Sequence, residues 1–293
     1  MKTIYPINGS EKFNDRVLKA DEIVFGPGAS LTLTALNQPW IVLIAKRWKF
    51  ADPLQMVKIE RSAATASSGM TGSSGARGAD NPGETNRKGN DGYPGGSGGT
   101  GIAGGSFQLP KIYLIGESFT SPNGDPLPGY LRLSINLPGI KGGDGGRGGT
   151  GGDGGNAGNG KEGATSAFDC KEGPGPGGNG GDAGPGGRGG DGARGGDGAS
   201  ITLISTELGI EQLSYARINN IEGYGGLGGR PGRAGKPGRG GRGGNSNGWC
   251  GPAGDGYPGG FPNPADYGQG NDGADGRKGT VTAISVTGLS PVF

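Results

Sequence analysis

Arg230, Arg233, Lys236, Arg239 and Arg242 follow one another at every third position, and this row is the nearest thing in the sequence to a site with chemistry of its own. In a left-handed extended helix of three residues per turn, every third side chain lies on one face. The five cations would then form a straight ladder with a rung about every 9 Å. Such a ladder attracts polyanions such as RNA or phosphorylated lipopolysaccharide, and Arg239-Gly-Gly-Arg242-Gly-Gly is similar to an RGG-type RNA-binding segment. No aromatic residue is interleaved to stack bases, which counts against nucleic acid. The competing reading is that the cations face acidic rows such as Asp144, Asp153, Asp182, Asp191 and Asp197 on neighbouring segments, or are simply solvated.

Other chemistry is sparse. There is no His among the 293 residues and only two Cys, which excludes imidazole metal sites, His-dependent triads and a four-thiolate zinc site. No enzyme activity and no cofactor are expected. Gly155-Asn-Ala-Gly-Asn-Gly-Lys161 begins like a phosphate-binding loop, but Glu162 stands where a hydroxyl should hold magnesium. Gly148 to Asn156 approximates a calcium-binding nonapeptide, but Gly155 occupies its apolar position.

Cys170 and Cys250 each sit in an interruption of a glycine-rich block, at equivalent places in a repeat. Parallel units would bring the two tips together and allow a Cys170–Cys250 disulfide; in a reducing cytosol both would stay thiols. The interruptions also gather amides, charges and aromatics: Asn86 and Arg87 in the first, Phe168, Asp169 and Lys171 in the second, Asn247 and Trp249 in the third, with Tyr257, Phe261 and Tyr267 just beyond. Loops of this composition on a rigid scaffold are equipped for carbohydrate or protein recognition. Alternatively the aromatics plug the end of the scaffold.

The elements that must position these residues are written in glycine. Of 293 residues 74 are Gly, and only 30% are apolar, too few for a conventional large core. Gly recurs every third residue from Gly69 to Gly78 and Gly89 to Gly104, again from Gly139 to Gly163 with Ala157 as one substitution, and again from Gly223 to Gly244. Strict phase predicts polyglycine-II helices that exchange backbone hydrogen bonds through their bare faces, because a flexible linker has no need to keep register. Strands are expected between the blocks: Ser30 to Leu36, Ile41 to Ala45, Lys111 to Ile115, Tyr130 to Leu137, Ile201 to Ser205, Leu213 to Asn219 and Thr280 to Val286.

The expected fold class is therefore mainly non-regular, a bundle of about six polyglycine-II rods with a layer of interleaved short strands and little or no α-helix. It divides into a β region at 1–68, three glycine-rich hairpins over 69–279 with strands at 107–138 and 200–222, and a terminal strand at 280–293, all in one integrated domain. The segment Gly177 to Ala199, with two bare faces, is expected at the edge of the stack, and the third block is expected to have fewer neighbours.

These two-faced runs, polar third positions and aromatic-bearing interruptions resemble the polyglycine-II sandwich of receptor-binding adhesins on T-even-like phage tail fibres. The resemblance implies a non-enzymatic tip protein whose distal loops bind an outer-membrane receptor. This chain differs in the strands between its blocks. Small polyglycine-II antifreeze proteins share such rods, but the mixed Asp, Arg and Asn rows here make a poor flat face. The functional expectation is a structural or adhesive protein presenting loops, with a cell-surface receptor or glycan as partner. The alternatives are a self-associating filament or matrix subunit and a polyanion binder, nucleic acid being the less favoured polyanion. The apolar stretch Trp40 to Ala45 is too short to span a membrane, and Met1 to Phe13 holds no signal-peptide run. An extracellular or virion-associated location without a cleaved signal is expected, with the cytoplasm as the alternative.

Overall fold

Short β-branched and aliphatic runs, bounded by Gly, Pro and Asn, fold into strands that stack in register rather than into hairpins. In the computed structural model, which describes residues 3–125, 127, 132–245 and 248–289, six strands form one all-parallel sheet. They are β1 (Ile4–Ile7), β3 (Val17–Phe25), β5 (Trp40–Phe50), β9 (Lys111–Thr120), β13 (Ile201–Ser205) and β15 (Val281–Ser285). A second parallel sheet runs β14 (Arg217–Asn219), β10 (Leu133–Asn136), β6 (Val57–Arg61), β4 (Ser30–Leu33) and β2 (Ser10–Phe13). Successive strands of the chain alternate between the two sheets, so the backbone winds as a coil with one strand per sheet per turn.

Like residues stack on like. Ile41, Ile112, Ile201 and Val281 are register partners across four strands, as are Leu43, Leu114, Leu203 and Ala283. Phe25 stacks on Phe50 with ring centres 5.6 Å apart, and Trp48 lies 6.1 Å from Phe25 and 5.9 Å from Phe119. The Trp48 indole N–H donates to the Ile115 carbonyl at 3.0 Å. Gly116 makes room for this ring, since a Cβ there would stand 2.7 Å from the indole. Apart from Val281 and Ala283 on the exposed edge strand β15, these apolar side chains are buried in one continuous core. In the fifth turn, between β13 and β14 along the chain, the helix α1 (Glu207–Ser214) packs on strands of the first sheet, and its N-cap hydroxyl on Thr206 accepts from the Gly209 N–H. The sequence reading placed Leu213 and Ser214 in a strand. They close α1 instead, and Leu213 is buried against the coil, because a short apolar run does not distinguish the two periods.

Three glycine-rich excursions leave the second sheet after β6, β10 and β14 and return to the first at β9, β13 and β15. Each has an outgoing arm (66–80, 139–163 and 220–244) and a returning arm (90–107, 173–199 and 251–279). Two of the outer turns are small hairpins, β7 (Glu84–Thr85) with β8 (Lys88–Gly89) and β11 (Ala164–Thr165) with β12 (Cys170–Glu172).

The arms keep the register of the sheets they extend. β10 pairs with β14 at a shift of 83, Ser134 opposite Arg217, and the same 83 relates Asp144 to Leu227, Asp153 to Lys236 and Asn159 to Arg242. β6 and β10 pair at 76, Lys58 opposite Ser134, and so do Ser74 with Thr150 and Asp80 with Asn156. On the other side β13 and β15 pair at 80, Ile201 opposite Val281. That shift holds at Asp197–Arg277 and Asp191–Asn271 and drops to 78 at Asp182–Gly260. The two surplus residues fall in the stretch holding the 3-10 turn at Pro264–Asp266.

This corrects the expected fold class. The protein is not a mainly non-regular polyglycine-II bundle with a subordinate strand layer; it is a parallel-β fold of two sheets, six and five strands wide, with one helix. The apolar ladders, not the glycines, set which segment lies beside which. The placement of Gly177 to Ala199 is corrected too. This arm donates to 139–163 (Gly181 to Gly155) and to 251–279 (Gly180 to Tyr257), and it accepts from 90–107 (Gly92 to Asn179) and from 220–244 (Gly238 to Gly181). Bare faces are where other backbones fit, so this arm lies inside, as does 139–163, which bonds to 66–80, 90–107, 173–199 and 220–244.

Candidate functional site

At the outer ends of the arms the three interruptions meet. Asn86 and Arg87 form the two-residue turn of the first, both with positive φ (46° and 72°). Asn tolerates that conformation readily. Arg87 is held there by its own side chain, which donates to the carbonyls of Glu162 at 2.8 Å and Gly173 at 3.0 Å and pairs with the Glu172 carboxylate. Arg87 therefore spends its guanidinium tying the first loop to the second.

The second and third loops are joined covalently: Cys170 and Cys250, 80 positions apart in the sequence, form a disulfide with Cα atoms 4.9 Å apart. Asp169 turns its carboxylate back onto the Cys170 N–H at 2.8 Å, which makes it a loop-shaping residue. Phe168 projects from the apex at 87% exposure and Lys171 is exposed beside it. Trp249 is 66% exposed, and its indole N–H reaches the Ala167 carbonyl at 3.4 Å. Neither aromatic plugs the scaffold. Asn247 lies outside the described residues. Tyr257 and Phe261 are exposed and Tyr267 half-buried, but all three lie along the last returning arm rather than in the loops.

The polar residues of the arms serve a purpose that sequence reasoning missed. A glycine amide in each triplet bonds to a neighbouring arm, but the amide at the third position faces outward. Side-chain oxygens supply its acceptor. Asp80 accepts from the Asn156 N–H, Asp91 from Asn179, Asp144 from Leu227, Asp153 from Lys236, Asn156 from Arg239, Asn159 from Arg242 and Asp191 from Asn271, at 2.7–3.0 Å. The recurrence of Asp and Asn at one phase of the triplet was the available signal.

These bonds favour the ionised carboxylates. The Asn156, Asn179 and Asn271 amides hold Asp80, Asp91 and Asp191 below the usual carboxylate range; at Asp144 the Lys141 ammonium contributes most, then the Leu227 amide. At Asp197 partial burial pushes upward but is outweighed by the Arg277 amide and the Arg194 guanidinium.

Arg230, Arg233, Lys236, Arg239 and Arg242 share one exposed row on the arm 220–244. Their carbonyls accept from Gly148, Gly151, Gly154, Ala157 and Gly160, which fixes the backbone beneath each rung. Among the described residues none of the five side chains enters an ion pair.

No helix of the described residues is long and apolar enough to cross a membrane. No known protein family and no curated protein matches the chain. Among solved structures there is a weak likeness to a springtail antifreeze protein from Granisotoma rainieri described as a nine polyproline type II helical bundle. It is 22% identical over 72% of this chain and 95% of that one, with a TM-score of 0.09. At that score it carries no argument about fold or function, so what this chain does has to be read from its own loops and surfaces.

Proposed function

We propose that the protein is a non-enzymatic structural or adhesive protein that presents the loops at the ends of its arms to a cell-surface receptor or glycan. The observation that carries the reading is the exposure of Phe168 and Trp249 on loops that are braced three ways, by the Cys170–Cys250 bond, the Arg87 bridge and the arms beneath. Large aromatics held rigidly in solvent lose little entropy when a partner covers them. A glycan array and a panel of intact bacterial cells provide the test. Retention by the native protein and at least tenfold weaker retention by Phe168→Ala/Trp249→Ala, at unchanged melting temperature, are expected. Equal retention of the two proteins would refute the reading.

The filament alternative has less support. The carbonyls of Thr3 and Ile7 accept from Glu22 and Gly26 of the β3 region, so the alternate residues Ile4 and Pro6 face the open edge of β1. Pro6 has no N–H to offer an incoming strand, a common device against edge-to-edge assembly.

A further inference from the structure

Five cations of the glycine-rich excursions contrast with the row from Arg230 to Arg242. Arg77, Lys88, Lys141, Arg188 and Arg194 each pair with an Asp three residues further along the same arm (Asp80, Asp91, Asp144, Asp191 and Asp197) at 2.7–3.2 Å. On the arm 220–244 the residue three positions on from each cation is, until the row ends, another cation. Against the row the neighbouring arms set Asp153, beside Lys236, and Asp255, which accepts from the Gly243 N–H next to Arg242; the other rungs face no acid on 139–163. Thr150, Asn156 and Asn159 are uncharged, Asp153 accepts from the Lys236 backbone, and Arg147 leans onto the Pro231 carbonyl at 3.4 Å, adding a cation to the same surface. The rungs are also pre-set, because every carbonyl beneath them is bonded to the next arm.

We infer that this row is a binding surface for a linear acidic polysaccharide carrying one charge per disaccharide. Three extended residues advance about 9 Å, close to the length of two linked pyranose rings, so carboxylates on alternate sugars meet successive rungs. Phosphates of a duplex strand follow one another at about 3.4 Å of axis, out of step with the ladder. No aromatic side chain stands between Arg230 and Arg242 to stack a base. The surface lies along an arm and is independent of Phe168 and Trp249.

Calorimetry of the full chain with hyaluronate, at low and moderate salt, tests the assignment. The native protein should bind, more weakly as salt rises. Arg233→Gln/Lys236→Gln/Arg239→Gln should lose at least tenfold in affinity and flatten the salt dependence, while Arg188→Gln/Arg194→Gln and Phe168→Ala/Trp249→Ala stay within twofold. Lys236→Gln alone, expected to lose about threefold, stands in if circular dichroism shows the triple variant unfolded. Absence of hyaluronate binding, equal losses in the paired-cation variant, or tighter binding of poly(U) than of hyaluronate would each overturn it.

Discussion

The coil and its arms solve the same problem with opposite materials. In the coil, side chains provide cohesion: Ile on Ile, Leu on Leu and Trp48 between Phe25 and Phe119, with backbone bonds running along each sheet. In the arms there is almost no apolar side chain to bury, and cohesion comes from the backbone itself. Gly149 donates to Gly99, its carbonyl accepts from Gly187, and a Cβ added to it would lie 1.8 Å from the Ser73 carbonyl oxygen. A strand bonds to two neighbours in one plane. An arm stripped of side chains bonds to neighbours out of that plane as well, which lets it do without a core.

The contrast can be broken most directly by adding one methyl group to the arms. Gly149→Ala should destabilise by about 5 kcal/mol or more, since rigid backbone would have to move. Gly254→Ala, with nothing within 4 Å of the new Cβ, should be near neutral. Urea denaturation measures both, and similar midpoints for the two would mean that the arms are not close-packed. Trp48→Ala, which removes a whole side chain from the coil, should cost about 4 kcal/mol. If it costs clearly more than Gly149→Ala, the coil rather than the arms is the less forgiving region.

Next in size is the bond between the loops. Replacing both Cys170 and Cys250 by Ser frees an 80-residue loop and should cost up to about 4 kcal/mol in the chain-entropy picture. Amide exchange should show the loss first at the arm ends, with the strands of the coil still protected; uniform loss across both regions would blur the comparison.

Acid should act on the arms. Asp80, Asp91, Asp144, Asp191 and Asp197 all have folded pKa values depressed below 3.8. The ionised forms are therefore favoured by folding, and their contribution is fully present above the unfolded pKa and lost as pH falls through the folded values. Exchange protection of the Asn156, Asn179 and Asn271 amides should fall below about pH 4, and protection that persists to pH 2 would contradict the acceptor role. The smallest change is Asn159→Ala, which deprives the Arg242 N–H of its acceptor and should cost about 1 kcal/mol.

Much of the coil could be read in advance. Strands fall on the expected runs Ser30 to Leu36, Ile41 to Ala45, Lys111 to Ile115 and Ile201 to Ser205, and Leu31, Leu33, Ile201 and Leu203 are buried there. β1 and β2 were not legible, because Ile4–Ile7 and Ser10–Phe13 are short, carry charge or Pro, and are held by their partners β3 and β4 rather than by their own pattern. Tyr130, expected to begin a strand, lies outside the described residues. Of the candidate site, Phe168 and Trp249, which the sequence left open between presentation and plugging, are exposed, whereas Arg87 and Asp169 are bracing residues, because backbone carbonyls and amides that sequence does not display had first claim on them.

By itself the sequence determined the local terms: where glycine removes the Cβ, where every third residue carries a charge, and which short runs are apolar enough to be strands. Those are properties of a residue and its near neighbours. The tertiary structure decided the rest: that two parallel sheets organise the chain, that their 83- and 76-residue shifts run on into the arms, and that the bare arms 139–163 and 173–199 lie inside. Register between distant segments depends on which side chains stack across a gap of many residues. The same partnering leaves the row from Arg230 to Arg242 exposed, while Arg77, Lys88, Lys141, Arg188 and Arg194 each pair with an Asp three residues on.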